Sequence, residues 1–409
     1  MSWEQCIRQL GGWGPYIPGS MEVREASENG PREIWITLDR KDGRFRCGGC
    51  GKQRYRYHDA EEREIRDLPI LGIPVRLFLW RFRVECPSCG PRLEALDWLA
   101  PRARVSTRMA EDVARLCRVL PIKHVAERIG LDWHTVKAID KAWLERTLPE
   151  LDMTGVTKLI MDEFAIHKGH RYATVITDAD TRRVLWVGHG RGREAVGPFF
   201  RGVGKEVCQR IRAVAMDMHA PFEIEVRAHC SKAEIVYDLF HVVMKFGREV
   251  IDRVRINEAN RLRSDKAARK VVKGSRWLLL ANKENLEKPS QRVRLKELLD
   301  ANQALMTVYL LKDDLKRLWS YTREGWARRA WNDWLARAQE SRIPALKTFA
   351  RNLAKRIDGI LAHCRWGLNT SVLEGMNNKI KVLKRMAYGY RDDAYFFLKI
   401  RSAFPGVAR

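Results

Sequence analysis

TKLIMDEFAIHKGHRYATVITDADTRRVLWVGHGR, residues 157–191, holds three short apolar runs in succession. TKLIMDEFAI, HRYATVITDAD and RRVLWVGHGR each have strand character, and a turn over Ala179 to Arg182 joins the second to the third. A helical stretch follows around Ala195 to Arg210. Then come IRAVAMD, a buried strand ending at Asp217, a helix around Pro221 to His229, and the strand AEIVYDLFH. Periodicity alone makes this α/β. Asp162 ends the first apolar run and Asp217 the fourth, while Glu374, in NTSVLEGMNNKIKVLKR, opens a helical stretch far downstream. Carboxylates at strand ends cluster if the strands are neighbours. Such a cluster supplies the oxygen ligands that two divalent ions about 3.5–4 Å apart need for phosphoryl transfer.

Upstream, Cys47 and Cys50 form one Cys-x-x-Cys knuckle, and Cys86 and Cys89 form another. Two knuckles supply four thiolates, enough for a closed tetrahedral zinc site with a structural role. Redox pairs or free thiols are the alternatives, but each knuckle sits among glycines and neither follows a βαβ pattern. His58 is a candidate substitute ligand, with a surface position the simpler reading. EIWITL and VRLFLWRFRVE flank the knuckles as strands. Arg54, Tyr55, Arg56, Tyr57, Arg76, Arg81 and Arg83 are either phosphate contacts or solvated strand faces.

From Ser106 to Arg146 the period becomes helical: Met109, Val113, Leu116 and Val119; then Ile122, Val125, Ala126 and Ile129; then Val136, Ile139 and Trp143. Gly130 suits the C-cap of the second helix and Asp132 the N-cap of the third. The pattern is a helix-turn-helix, with His134, Thr135, Lys137 and Lys141 as the residues to face a DNA major groove. A plain helical hairpin has the same signature.

These features together resemble the ISL3-type DDE transposases of bacterial insertion sequences. The resemblance rests on the contexts of Asp162, Asp217 and Glu374, the paired knuckles, the helix-turn-helix pattern and DLFHVV at Asp238 to Val243, and it spans nearly the whole chain. It implies an α/β multidomain protein. An RNase H-like catalytic core at 155–244 and 369–409 is interrupted by an all-α insertion at 245–368, and is preceded by a zinc-binding module at 1–100 and a helix-turn-helix domain at 101–148. Asp162, Asp217 and Glu374 would bind two Mg2+ or Mn2+ ions. His241, in the Asp-x-x-His arrangement with Asp238, would stand near the scissile phosphate. The implied partners are double-stranded DNA, as terminal inverted repeats and target, and a second or further copies of the chain. A transposase-derived regulator and an RNase H-like nuclease are the alternative functions.

Several of these residues have simpler readings. Ser371-x-x-Glu374 is a capping box, in which the glutamate reaches back to its own helix N-terminus. Asn377, Asn378 and Lys381 lie at i+3, i+4 and i+7 from Glu374 and share its face, which suits a grip on a DNA backbone. Asp238 reads equally as an N-cap with a packed histidine. Glu163 points to the opposite strand face from Asp162 by alternation. Trp319, Trp326, Trp331 and Trp334 fit a helix core face better than stacking on unpaired bases.

Composition agrees with a polyanionic partner: 76 Lys and Arg against 51 Asp and Glu give a formal charge of +25, spread from end to end, and a pI near 9.9. No segment has the ~20 apolar residues of a membrane span, and MSWEQCIRQLGGWG lacks a signal-peptide pattern. The nine cysteines do not form a secreted disulfide framework. A cytoplasmic location without membrane contact is the expectation.

Overall fold

The computed structural model describes residues 7, 9, 11–25, 32–100, 104–167, 169, 171–281, 285, 286, 288–368 and 371–407, the side chains of 371–374 excepted. The chain forms two units, Met1–Leu148 with Leu383–Ala403, and Pro149–Val382 with Phe404–Arg409. Their first boundary falls at the start of the linker expected over 148–154.

In the first unit the strands are β1 (Tyr16–Glu25), β2 (Arg32–Arg40), β3 (Phe45–Arg46), β4 (Gln53–Arg54), β5 (Tyr57–Ile70), β6 (Ile73–Val84) and β7 (Arg92–Leu93). One sheet runs β1-β2-β6-β5 with β7 beside β6, and β3 and β4 form a separate hairpin. Alternation puts Ile34, Ile36 and Leu38 of β2 and Val75, Leu77 and Leu79 of β6 on one buried face. The helix-turn-helix follows as α1 (Thr107–Leu116), α2 (Ile122–Ile129) and α3 (Trp133–Thr147), packed around Val113, Val125, Val136 and Ile139. Gly130 ends α2 at φ 68°, where a side chain would strain the backbone, and Asp132 caps α3 by accepting from the His134 N–H at 2.8 Å. Val119, expected on the core face of the first helix, is 66% exposed because α1 ends at Leu116.

The four-cysteine region and the helix-turn-helix lie in one unit. Buried Asp67 of β5 ties them together, accepting from Trp13 Nε1 at 2.9 Å, Ser106 Oγ at 2.5 Å and Arg108 Nε at 2.7 Å. Residues 383–403 pack with the first unit. There the helix Asp393–Ala403 sets Lys399 Nζ on the Asp140 carboxylate of α3 at 2.9 Å and on the Cys117 carbonyl at 2.7 Å, and the Tyr395 hydroxyl also donates to Asp140. A buried carboxylate is costly unless paired, and this helix supplies its cation.

The second unit carries β8 (Lys158–His167), β9 (Arg171–Asp178), β10 (Val184–His189), β11 (Ala213–Met216) and β12 (Glu234–Tyr237) in the sheet order β10-β9-β8-β11-β12. The first three are antiparallel; β11 is parallel to β8 and β12 to β11. Helices α4 (Arg193–Val203) and α5 (Ala220–His229) alternate with the last strands, in the order read from sequence. After β12, α6 (Leu239–Phe246), a π-helical turn at Gly247–Ile251, α7 (Asp252–Arg261), α8 (Lys266–Gly274), α9 (Arg276–Leu280), α10 (Gln303–Arg317) and α11 (Glu324–Glu340) belong to a stretch reaching Trp366 in which no strand occurs among the described residues. Its core is continuous with that of the sheet. Trp331 and Trp334 are buried in it with Leu159 and Val214, and Trp319 packs against it. Trp326, assigned to the same core face, is 55% exposed. The final helix to bear on the site is α12 (Ser371–Met386).

Candidate catalytic and metal centres

Strand register builds the first centre. Ala213 of β11 lies opposite Lys158 of β8 and Ala215 opposite Ile160, while Met216 lies opposite Tyr237 of β12. Continued by one or two residues, these registers set Asp162, Asp217 and Asp238 level across three adjacent strands. Asp162 does not end its strand as expected: β8 runs on to His167 because β9 keeps pairing with it.

Asp162 is only 7% exposed. Its Oδ1 accepts from the Glu163 N–H at 2.8 Å, and its Oδ2 from Asn377 Nδ2 at 2.5 Å. Burial pushes its pKa up to about 6 despite those bonds and the nearby His241. Burial also raises the Asp217 carboxyl, with Glu163 adding to the rise and His241 and His219 opposing it. Asp238 caps α6 by accepting from the Phe240 N–H at 2.9 Å, and its other oxygen meets His241 Nδ1 at 2.7 Å. Burial works against the His241 imidazolium, but the bond to Asp238 and the charges of Asp238, Asp162 and Asp217 prevail and raise its pKa. The N-cap reading of Asp238 and its pairing with His241 thus both hold.

Asp162 and Asp217 offer oxygens of the kind hard divalent cations take: Asp217 Oδ1 and, beside Asp162, Asn377 Oδ1 are buried without a hydrogen-bond partner among the described residues, and burial disfavours both carboxyls as anions. Glu374 lies on α12 one turn before Asn377; its side chain, and the capping box with Ser371, fall outside the described residues. Asn377 is half-buried on Asp162, whereas Asn378 and Lys381 are exposed, Lys381 Nζ lying 3.4 Å from Asn378 Oδ1. Glu163 is not remote: it lies 3.7 Å from Arg191 and its charge acts on Asp217. His219, two residues after Asp217 in MDMH, was missed from sequence; its Nδ1 is buried and unpartnered among the described residues.

The second centre is made by β3, β4 and the turns around them. The sulfurs of Cys47, Cys50, Cys86 and Cys89 all lie within 4.8 Å of one another. The Cys50 and Cys86 sulfurs are 3.7 Å apart, near the ~3.8 Å that tetrahedral Zn–S bonds of about 2.3 Å require. Arg54 donates to Cys86 Sγ at 3.4 Å. Among the arginines considered for phosphate binding, Arg76 is held by Glu33 and Glu64, Arg83 by Asp59, and Arg81 donates to the Glu94 carbonyl. His58 pairs with Asp59 and is not in the cluster.

On α3, His134 and Thr135 are exposed. Lys137 and Lys141, expected to face DNA, both bind Asp392, at 3.0 and 3.1 Å. Although burial opposes it, those lysines and the Tyr395 N–H pull the Asp392 pKa down to about 2. No described helix is long and apolar enough to cross a membrane.

Three family domains match in chain order. Residues 43–89 match the zinc-finger of transposase IS204/IS1001/IS1096/IS1165, residues 94–144 the helix-turn-helix domain of transposase family ISL3, and residues 159–400 the ISL3 transposase domain. The chain is 52% identical over 406 residues, 99% of both proteins, to the transposase for insertion sequence element IS1001 of Bordetella parapertussis. It is 29% identical over 375 residues, 85% of this chain and 82% of the relative, to the transposase for insertion sequence element IS1557 of Mycobacterium tuberculosis. With a four-cysteine cluster inside the zinc-finger match and the levelled aspartates inside the transposase match, the chain belongs to the ISL3 family of transposases.

Proposed function

We propose that the chain is a DDE-type enzyme that binds the terminal inverted repeats of its own insertion sequence and carries out metal-dependent DNA strand cleavage and strand transfer on an RNase H-like core. The observation carrying this reading is the levelling of Asp162 and Asp217 by strand register, with Asn377 of α12 seated on Asp162. That contact brings the helix bearing Glu374 to the same carboxylate. Asp162, Asp217 and Glu374 would hold two Mg2+ or Mn2+ ions, which when bound supply an activated oxygen nucleophile and stabilise the leaving oxygen. Asp238 orients His241 through Nδ1, leaving Nε2 to donate to a phosphate oxygen. Asn378 and Lys381 extend a polar, basic face from Asn377 for the DNA backbone. His134 and Thr135 read bases, while Lys137 and Lys141 act through Asp392 to fix α3.

Cys47, Cys50, Cys86 and Cys89 would hold one structural zinc, since four thiolates leave no open position for water. Two DNA ends must be held together, so a dimer or larger assembly is the working form, and the chain works in the cytoplasm on the nucleoid. The test uses purified protein, a duplex carrying the element's ends, and Mg2+ or Mn2+. Asp162→Asn, Asp217→Asn and Glu374→Gln should each abolish cleavage and joining while sparing end binding. If the parent binds ends without cutting them, the chain is a transposase-derived regulator. Cutting without preference for the ends makes it a generic nuclease. Cleavage by Glu374→Gln at the parent's rate leaves that residue as a helix cap.

A further inference from the structure

We propose that α8 (Lys266–Gly274), with the neighbouring Trp277, is a second duplex-DNA surface that grips the phosphodiester backbone without reading sequence. The proposal rests on the transposase reading only in taking DNA as the polyanion. α8 reads KAARKVVKG, and its buried residue is Val272. At about 100° per residue, Lys266, Lys270 and Lys273 fall within an arc of roughly 60° and span about 10 Å along the axis. All three are exposed. Among the described residues no carboxylate lies within ion-pair distance of any of them.

The acids of the adjoining helix are already committed. Asp252 pairs with Arg255 and with Arg276, and Glu258 pairs with Arg261 and accepts from Asn302. Asp265 spends an oxygen capping α8, accepting from the Ala268 N–H at 2.9 Å. Lys266 is the first residue of α8, where a cation opposes the helix dipole, so helix stability does not account for it. Four residues beyond Lys273, Trp277 is 74% exposed, with the Arg276 guanidinium 5.4 Å from its ring centre. An exposed ring one short step along the chain from a lysine stripe suits contact with a deoxyribose edge flanked by phosphates, the mix of charge and apolar surface that a DNA backbone presents.

Each phosphate neutralised contributes about 0.9 to the slope of log affinity against log salt. The test measures fluorescence anisotropy of the full chain on an end-bearing duplex and on a scrambled duplex of the same length, from 50 to 200 mM KCl. For Lys266→Gln/Lys270→Gln/Lys273→Gln the slope should fall in magnitude by about 2.7 on both duplexes. The affinity advantage of the parent then shrinks roughly forty-fold across that range. The triple Lys→Arg variant should restore the parent slope, and Trp277→Ala should weaken both duplexes at unchanged slope. An unchanged slope in the triple Gln variant overturns the proposal, as does slope loss on the end-bearing duplex alone. A shift in sedimentation with DNA binding intact overturns it too and assigns the stripe to contact between copies. A parent that binds and cuts ends while the triple variant behaves identically refutes this inference alone; a parent that binds no DNA refutes it together with the transposase reading.

Discussion

Replacing Asp162 with asparagine should stabilise the protein in the absence of metal. Its carboxyl titrates near 3.8 in the unfolded chain and at about 6 in the fold, where burial is the dominant cause. Between those values the folded state binds more protons than the unfolded one. Stability therefore falls as pH rises through that window, and the full penalty is present above it. At 1.36 kcal/mol per unit, the penalty at pH 7.5 is about 3 kcal/mol. The amide keeps an oxygen to accept the Glu163 N–H but weakens the charge-assisted bond from Asn377, offsetting about 1 kcal/mol. In EDTA at pH 7.5, Asp162→Asn should gain about 2 kcal/mol, roughly 4–8 °C in the melting temperature of a unit this size. The gain should vanish toward pH 4. Added Mn2+ should reverse the ranking, stabilising the parent by mass action and leaving the variant unmoved. Calorimetry over pH 4–8, with EDTA or Mn2+, gives the answer. A variant no more stable than the parent in EDTA at pH 7.5, or an equal Mn2+ shift in both proteins, refutes the account of Asp162 as a desolvated metal ligand.

Lys399→Met strands the Asp140 carboxylate in the core and should cost about 3–5 kcal/mol by denaturant unfolding of the first unit, most of it recovered in Asp140→Leu/Lys399→Met. Cys86→Ser should drop bound zinc below one per chain by elemental analysis and unfold the N-terminal sheet, while the far-UV signal of the second unit persists. Thr135→Val should change the preferred end sequence at unchanged salt slope. Lys141→Gln should lower the melting temperature of the first unit and leave that slope within error of the parent, since Lys141 is engaged by Asp392.

What was legible in the sequence was whatever local chemistry determines. Apolar runs bounded by turn residues gave the five strands of the second unit in order, and the two glycine-flanked knuckles gave the four sulfurs now found together. Gly130 and Asp132 marked the turn of the helix-turn-helix because a left-handed φ and an N-cap carboxylate are local demands. Alternation along β8 suggested that Glu163 turns away from the metal side. Its charge nonetheless raises the Asp217 pKa from the neighbouring strand. A strand pattern gives the face of a side chain and not the reach of its charge.

Contacts made by distant segments of the chain have no local signature. Lys137 and Lys141 have the helix positions of a DNA-reading face, and nothing within α3 distinguishes that use from another. Their partner Asp392 lies some 250 residues downstream, just before the helix that also brings Lys399 to Asp140. The sequence does hold a trace of this arrangement. Asp140 sits among the buried residues Val136, Ile139 and Leu144, and a carboxylate there demands a cation from elsewhere in the chain. Lys399, in an otherwise aromatic and aliphatic stretch, DAYFFLKI, is the matching anomaly. Charges misplaced on two apolar faces identify each other. The same logic joins Asp162, buried in β8, to the far downstream helix whose Asn377 reaches it. In both units the long-range architecture is fixed where a buried acid requires a partner that its own element does not provide.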